Sequence, residues 1–587
     1  MSLECLPRTA LRSVPTLLCV VLTTLLAAAC KAPPEPEEEP ELDSAADVIF
    51  HGTVLTLVED ESEAEALAIR GEEIVAVGTR EEVDPLAGSR TRIVTLDEGA
   101  LLPGFIDAHG HVAMLGMYSG FANIASPPVG PVEDLPDLQE VLRAHAEGSE
   151  GWIVGRGYDE SLLREGRHPT RDDLDAVSRE RPIFLVHVSG HLGAANSKAL
   201  ELAGIDANTP DPKGGVIRRR EGSREPDGVL EEHASFAVYI AMPRPTGEQA
   251  MAGLQAALAE YAANGFTTVQ DGAAAPETWA LLAGADRAGL LRQDLLAYAT
   301  WASDEALAGI RQDESDGLER LRLGGIKLVL DGSPQGKTAY LSEPYHVPPR
   351  GQGASYRGYP ALSDEEVIEQ VEHFAGQGYQ LMIHANGDAA IDQMIAAIDV
   401  LETKDPARDR RPILIHGQAT RPDQVPQFAR LRIVPSFFAP HTFFWGDWHR
   451  DSVLGPERAA HISPTASARA AGIRFTVHMD APVLPPDSLR MIWSTVNRQT
   501  RSGQVLGPDQ RIPVMAAIAA TTRDAAYQHF EEDRKGTLEV GKLADLVVLS
   551  RDPRSVPAED LVDLTVLETW SHGERIYAVS GPSAGPQ

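Results

Sequence analysis

Cysteine is almost missing from this sequence. Only three of its 587 residues are cysteines, Cys5, Cys19 and Cys30, and all three lie within the first thirty positions. The rest of the chain therefore has neither disulfide bonds nor thiolate ligands. Any metal ion in the folded body has to be held by nitrogen and oxygen donors.

Positive charge is also scarce. The chain has 52 lysines and arginines against 86 aspartates and glutamates, a formal net charge of −34 at pH 7. Such a polyanion repels a phosphate backbone, which argues against a nucleic-acid partner. Part of the excess lies in residues 31–47, a stretch rich in proline and glutamate. The net charge therefore says nothing about the charge of an active site.

The apolar run near the N-terminus is too short to span a membrane comfortably. Arg8 and Arg12 precede this run, residues 14–26, and Leu-Ala-Ala-Ala-Cys follows it, ending at Cys30. This layout resembles a bacterial lipobox, with an ordinary signal peptide as the alternative. We predict a lipoprotein signal peptide over residues 1–29, lipidation of Cys30, and a disordered tether over residues 30–47. The expected location is the bacterial cell envelope facing the periplasm, with membrane contact through the lipid alone.

The most informative stretch is LLPGFIDAHGHV, residues 101–112. In an extended chain His109 and His111 point to the same face, because side chains alternate along a strand. Two neutral imidazoles converging from one strand end are a ready pair of metal ligands. Gly110 between them lets the backbone approach whatever they hold. Chance is the alternative, since His-x-His occurs in many proteins that bind no metal.

The sequence pattern near both ends of the predicted folded region is typical of short strands separated by turns. Apolar runs of this kind occupy residues 48–100 and again residues 536–580. We predict that the two regions form one small composite β-sandwich domain, which supports the rest of the chain.

From residue 261 onward, helical segments alternate with short apolar strands. With the strand that carries His109, the count of predicted strands is eight, and this alternation favours an α/β fold, a (β/α)8 TIM-like barrel over residues 101–535. An insertion of about residues 118–261 follows the first barrel strand. The other strands are predicted at residues 266–269, 295–300, 326–330, 380–383, 413–415, 433–435 and 474–477.

Polar residues occur where a barrel carries its chemistry, at the carboxyl ends of the strands. Lys327 lies in strand four, His384 ends strand five, His416 ends strand six and Asp480 ends strand eight. Any one of these alone is more simply a satisfied structural residue. Together with the two histidines of strand one, they predict a metal centre.

The insertion offers a second group of polar candidates. Glycines lie beside Arg156, Tyr158, His191 and Asn196, which suggests loops that bring polar groups to a pocket. These four residues are the predicted substrate contacts, and ordinary turn residues are the alternative.

Several motifs resemble the amidohydrolase superfamily, and the resemblance covers nearly all of residues 45–580. They are PGFIDAHGH, GFTTVQDG, KLVLDGSPQGKTAYLSEPY, IHANGDAAID and KGTLEVGKLADLVVL. The third motif and the long insertion resemble the family 3 branch, which contains N-substituted formamide deformylase.

The resemblance implies roles for individual residues. The implied metal ligands are His109, His111, His384 and His416, and Asp480 is implied as either a further ligand or the base. Lys327 matches a lysine of the superfamily that can be carboxylated to bridge two metals. One departure is His478-Met479-Asp480, where relatives often read Gly-Ser-Asp. The bulkier neighbours either narrow the pocket or offer a different hydrogen bond.

The predicted function is hydrolysis of a carbonyl C–N bond in a small molecule by metal-activated water. Asp480 is the predicted base, since a carboxylate beside the water can pass its proton to the departing amine. Zinc suits nitrogen and oxygen ligands, and iron and manganese also fit them. The sequence leaves open whether the site holds one ion or two. The alternatives are a lactonase on the same site and a lipoprotein that binds a metal or ligand without turnover. A homo-oligomer is compatible with the sequence.

Overall fold

The computed structural model describes residues 45–59, 62–300, 303–349 and 351–579. The predicted signal peptide, Cys30 and nearly all of the tether lie outside these ranges, so the lipid anchor stays a prediction. Within the described ranges, no helix combines the length and the apolar character that crossing a membrane requires.

The centre of the molecule is a sheet of eight parallel strands in which neighbours along the chain pair with one another. The strands are nearly continuous buried runs, as expected where helices cover the outer face of a parallel sheet. The predicted (β/α)8 TIM-like barrel is therefore confirmed. Barrel strands one to eight are Phe105–Ile106, Phe266–Ala274, Asp294–Ala299, Leu321–Val329, Leu381–Ala385, Ile413–His416, Val434–Phe437 and Thr476–Val477.

A buried glutamine joins the first and last barrel strands. The Gln528 amide nitrogen donates to the carbonyl oxygen of Ala108 at 2.9 Å, and its amide oxygen accepts from the Thr476 hydroxyl at 2.6 Å. The backbone N–H of His111 also donates to the carbonyl of Ala481, 2.7 Å away. These contacts bring the ends of strands one and eight together, which places His111 beside Asp480.

Capping residues in the sequence determine where the helices around the barrel begin. Ser363 caps the helix Asp364–Gly376, accepting from the Glu366 N–H at 3.2 Å, while the Glu366 carboxylate accepts from the Ser363 N–H at 2.9 Å. The α-helices are Arg80–Val83, Val112–Tyr118, Leu135–Glu147, Arg171–Asp175, Ser197–Leu202, His233–Ala241, Gly247–Ala263, Pro276–Arg287, Asp304–Ser315, Asp364–Gly376, Asp388–Lys404, Val425–Leu431, His441–Trp448, Pro456–Ala459, Thr465–Ala470, Ser488–Asn497, Val514–Ala519 and Arg523–Gln528.

Both ends of the described chain contribute to one further sheet of seven strands. The rings of Phe50 and Trp570 lie 5.4 Å apart although two strands separate theirs, so the sheet curls over a shared apolar core. The composite domain thus gains two facing layers from one continuous sheet. Its strands, in spatial order, are Glu574–Ala578, Val566–Ser571, Leu546–Leu549, Arg92–Pro103, Val48–Leu55, Glu63–Arg70 and Glu73–Gly78.

The insertion after strand one contains a sheet of six strands. Its two most apolar runs are the adjacent parallel strands Ile153–Tyr158 and Ile183–His187. This sheet forms one wall of the cavity described below. Its strands, in spatial order, are Gly215–Arg219, Pro226–Glu232, Leu192–Ala195, Ile183–His187, Ile153–Tyr158 and Ala122–Asn123.

A buried lysine connects the barrel to the composite sheet. The Lys535 ammonium contacts the carboxylate of Asp294, at the start of barrel strand three, and donates to the Thr268 hydroxyl at 3.0 Å. Carboxylates of Asp545 and Glu531 lie 3.6 and 3.8 Å from the same ammonium. Three buried carboxylates therefore surround this ammonium, and other cationic groups reach two of them, since His572 contacts Asp294 and Arg322 contacts Glu531.

Replacing Lys535 by methionine should lower the free energy of unfolding by about 3–5 kcal/mol, because it leaves these carboxylates buried without their cation. The matched control is Lys404→Met, which removes an exposed lysine paired with Glu372 and should cost less than about 1 kcal/mol. Denaturant titration of both variants checks the difference. Equal losses would show that the Lys535 cluster adds nothing beyond a surface ion pair.

Candidate metal centre

The two histidines of the first motif lie just beyond barrel strand one. The rings of His109 and His111 are 5.0 Å apart, so both side chains reach the same space. Gly110 between them serves a different purpose from the one expected. A Cβ atom there would come within 2.4 Å of both the Asp107 carboxylate and the Tyr261 hydroxyl, which are hydrogen bonded to each other. Glycine therefore makes room for this buried pair.

Barrel strands four, five and six supply the next three predicted residues. The Lys327 amine lies 2.9 Å from Nε2 of His109, so strand four reaches across the barrel to strand one. Nδ1 of His384 and Nε2 of His416 are 3.1 Å apart. In-register parallel pairing puts these neighbouring strand ends at one level.

Asp480, just after strand eight, touches both groups of histidines. Its Oδ1 lies 3.3 Å from Nε2 of His111 and 3.5 Å from Nε2 of His109, and its Oδ2 lies 3.9 Å from Nε2 of His416. Asp480 and His416 adopt positive φ angles of 56° and 74°. Such strained backbone is concentrated at functional sites, where the surrounding structure holds a side chain in place. The structure thus brings together all six predicted residues.

Outer hydrogen bonds fix which imidazole nitrogen faces the centre. Nδ1 of His109 lies 2.9 Å from the amide oxygen of Gln270, an acceptor, so Nδ1 carries the proton and Nε2 keeps its lone pair. Nε2 of His384 lies 3.3 Å from the carbonyl oxygen of Gly332 and 3.1 Å from the amide nitrogen of Asn386, so polar partners hold its outer side and Nδ1 faces His416. Such partners orient metal-binding histidines. No role was predicted for Gln270, although it lies within the GFTTVQDG motif.

The structure shows what His478 does at the position where relatives often have the glycine of Gly-Ser-Asp. Its Nε2 lies 3.1 Å from Nδ1 of His416, and its Nδ1 lies 2.9 Å from the hydroxyl of Ser436. The residue is fully buried behind His416. Of the two expected effects, a different hydrogen bond is therefore the one the structure shows.

The pKa values of the site residues favour the protonation states in which these side chains can bind a cation. Burial holds the pKa values of His109, His384 and His416 well below the usual imidazole value, so these rings are neutral. Burial opposes ionisation of Asp480, but the neighbouring histidines outweigh it and hold its pKa well below the usual range. Burial lowers the pKa of Lys327 to about 7, although Asp480 opposes the shift.

Asp331, four residues after Lys327, bonds backbone groups rather than the Lys327 amine. Its carboxylate accepts backbone N–H bonds from Tyr340, Asn386 and Gly387, at 2.9, 2.9 and 2.8 Å. Asp331 therefore ties the loop after strand four to the end of strand five.

The donor set fits a divalent metal ion. Two ligands of one tetrahedral ion, each about 2.0–2.1 Å from it, lie roughly 3.3–3.4 Å apart. The separations of 3.3 and 3.5 Å from Asp480 Oδ1 to the two histidines match this spacing. Among the described residues this buried oxygen has no hydrogen-bond partner. An acceptor without a donor, facing two imidazole nitrogens, is the arrangement that a cation completes.

A cavity of about 170 Å³ opens onto this centre. The barrel supplies the six predicted residues, and the insertion supplies most of the opposite wall, including Arg156 and His191. His191 donates from Nδ1 to the carboxylate of Glu232 at 2.8 Å. Burial disfavours the imidazolium, but the Glu232 charge outweighs it and raises the pKa of His191. Two of the four predicted substrate contacts therefore line the cavity.

The other two predicted contacts have structural positions instead. Gly157, at φ 89°, marks a register shift in the strand between Arg156 and Tyr158. This shift breaks the alternation of side chains, and Tyr158 is fully buried in the insertion core, with its hydroxyl 3.3 Å from His168. Asn196 is also fully buried, capping the helix Ser197–Leu202 and bonding nearby backbone.

The sequence profile described as the amidohydrolase family matches residues 92–577. Among curated proteins, N-substituted formamide deformylase of Arthrobacter pascens is 29% identical over 553 residues, which are 91% of this chain and 98% of that protein. The predicted resemblance to this branch is confirmed.

Two solved structures share the fold. An uncharacterised metal-dependent hydrolase of Pyrococcus horikoshii superposes with a TM-score of 0.69 at 24% identity, covering 87% of this chain and 99% of that one. Its counterpart from Pyrococcus furiosus gives 0.66 at 25% identity, covering 86% and 100%. With the family profile spanning the barrel and the donor set assembled at its strand ends, this chain belongs to the amidohydrolase family of metal-dependent hydrolases that act on C–N bonds.

Proposed function

We propose that this protein hydrolyses the carbonyl C–N bond of a small-molecule amide, of the formamide or N-acyl type. The observation that carries the proposal is the position of Asp480, whose carboxylate contacts histidines on both sides of the centre. Similarity to a formamide deformylase across nearly the whole of both chains supports the choice of bond.

His109, His111 and Asp480 would hold one divalent ion, and His384 with His416 would hold a second, with Lys327 between the two groups. Four imidazoles and a carboxylate favour zinc, and iron or manganese also accept these donors. When bound, such an ion polarises a carbonyl group and lowers the pKa of a bound water to about 7. In the metal-bound protein Lys327 would be a carbamate, which supplies the negative charge that a shared site needs.

Asp480 moves the proton in this proposal. Its low pKa keeps the carboxylate deprotonated at neutral pH, so it can take a proton from the attacking water. The same oxygen then delivers the proton to the departing amine nitrogen as the C–N bond breaks. Oδ2 is the oxygen for this role, because Oδ1 faces His109 and His111 and would be occupied by the ion that they hold.

His191 would orient the substrate from the opposite wall. Its Nδ1 is committed to Glu232, which leaves Nε2 as the atom for a substrate carbonyl oxygen. The raised pKa favours a protonated ring, and a protonated ring donates a stronger hydrogen bond to an oxygen that gains negative charge. The strand of the insertion that ends at Glu232 therefore helps to build the site.

Activity screening of the purified full-length chain with defined metal content tests the function. We expect turnover of at least one class among N-formyl amines and N-acyl amino acids, loss of that turnover after chelation, and its return with zinc. Hydrolysis confined to lactones in the same panel would assign the site to a lactonase. Metal binding with no turnover of any class would support the non-catalytic alternative.

A further inference from the structure

A small side chamber of about 20 Å³ adjoins the main cavity. The two spaces share Arg156, Pro482 and Val483 as lining residues, so the chamber lies beside the loop that carries Asp480. Apolar side chains, among them Leu162 and Phe444, form much of its wall. The volume limits the chamber to a terminal group of a few atoms.

Unpartnered hydrogen-bond donors gather in this chamber. The Ser126 hydroxyl, Nε of Arg156 and Nε of Arg501 are all buried and have no hydrogen-bond partner among the described residues. Ser126 is only 5% exposed. Buried polar groups are almost always satisfied in folded proteins, so three orphans lining one small space point to a missing acceptor.

The acids near these arginines do not supply that acceptor. Glu260 acts on Arg156, and Asp159 and Asp447 act on Arg501, only through space, without a direct ion pair in the described part of the chain. Asp159, which also lines the chamber, is committed to other donors. It accepts from the Ser161 N–H and hydroxyl at 2.9 and 2.6 Å, and from the Trp445 indole at 2.5 Å.

We propose that the side chamber binds a carboxylate of the substrate, through Arg156, Arg501 and Ser126. An ionised carboxylate is an acceptor-only group, and guanidinium groups match it better than any other side chain. Two arginines would also offset the repulsion that the nearby carboxylate of Asp159 exerts on an anion. The preferred substrates would then be N-acyl or N-formyl amino acids, an inference that rests on the proposed hydrolysis of amides.

A pair of substrates that differ only in the carboxylate tests this subsite. Racemic N-formylphenylalanine carries the carboxylate, and N-formyl-2-phenylethylamine lacks it. The metal-loaded full-length chain should show kcat/KM roughly 10- to 100-fold higher for the first compound, the effect of one or two charged hydrogen bonds.

Arginine variants distinguish the loss of carboxylate binding in the chamber from general damage to the enzyme. Arg501→Met should lower kcat/KM for the charged compound roughly 10- to 100-fold, while changing it less than about threefold for the neutral one. Arg179→Met is the matched control, since it removes an arginine whose side chain is 81% exposed, and it should change neither. A wild-type chain without preference, or an Arg501 variant that slows both compounds equally, would overturn the subsite.

A binding measurement keeps the subsite distinct from the proposed function. Calorimetry should show phenylalanine binding the metal-loaded protein at least about tenfold more tightly than 2-phenylethylamine, with this difference lost in Arg501→Met. If neither formamide is turned over but the difference persists, the hydrolase proposal fails and the anion subsite stands. Equal affinities for the two amines would overturn the subsite even in an active enzyme.

Discussion

Replacing Asp480 by asparagine should lower kcat by roughly 10²–10⁴-fold, because asparagine is nearly isosteric with aspartate but cannot accept the proton. The change keeps one oxygen near His109 and His111, so most of the bound metal should remain. Turnover on the best substrate of the panel and metal content by elemental analysis are the two measurements. The expected result is a large loss of rate with a small loss of metal.

The double variant His109→Ala, His111→Ala is the matched control for Asp480→Asn, and it should lose more metal. Near-normal turnover of the asparagine variant would contradict the role of Asp480 as base. His478, two residues before Asp480, is not then the substitute, because it lies behind His416 and bonds Ser436.

The variant Lys327→Ala should lose about half of the bound metal and most of the activity. The Lys327 amine lies 2.9 Å from His109 Nε2, and burial lowers its pKa to about 7, so a large fraction is the neutral amine at physiological pH. A neutral amine can add carbon dioxide to form a carbamate anion. Without that anion the two groups of imidazoles would hold adjacent cations with no negative charge between them.

Metal stoichiometry and rescue decide the role of Lys327. A short carboxylic acid, such as formate or acetate, should occupy the vacated space and restore part of the activity and of the second ion. Lys337→Ala is the control, since Lys337 is also buried but donates to Val347 and Ser452 away from the centre. Wild-type metal content in Lys327→Ala would mean that this lysine bridges nothing.

The barrel and its candidate metal ligands could be predicted from the sequence because both follow local patterns repeated along the chain. Each strand is a short apolar run, and a polar residue such as His384 or His416 follows directly at its carboxyl end. In a parallel barrel all such ends lie on one face. Knowing the strands was therefore enough to predict that these residues meet, without any knowledge of distances.

The insertion was harder to interpret because its strands are short and one is interrupted. The register shift at Gly157 separates Arg156, which reaches the cavity, from Tyr158, which enters the core. Residues two apart normally share a face, so the alternation predicted the same role for both. Only the local backbone, with φ at 89°, decides between them.

The sequence by itself determined the chemical types of the donors and the barrel end at which they collect, since strand pattern and side-chain identity are local properties. Tertiary structure alone decided the partners that come from distant positions. Gln270 orients His109 across 161 residues, and Arg501 joins Arg156 in a chamber that no motif marks. Such contacts depend on how loops from different strands pack against one another, and the spacing of residues along the chain does not encode that packing.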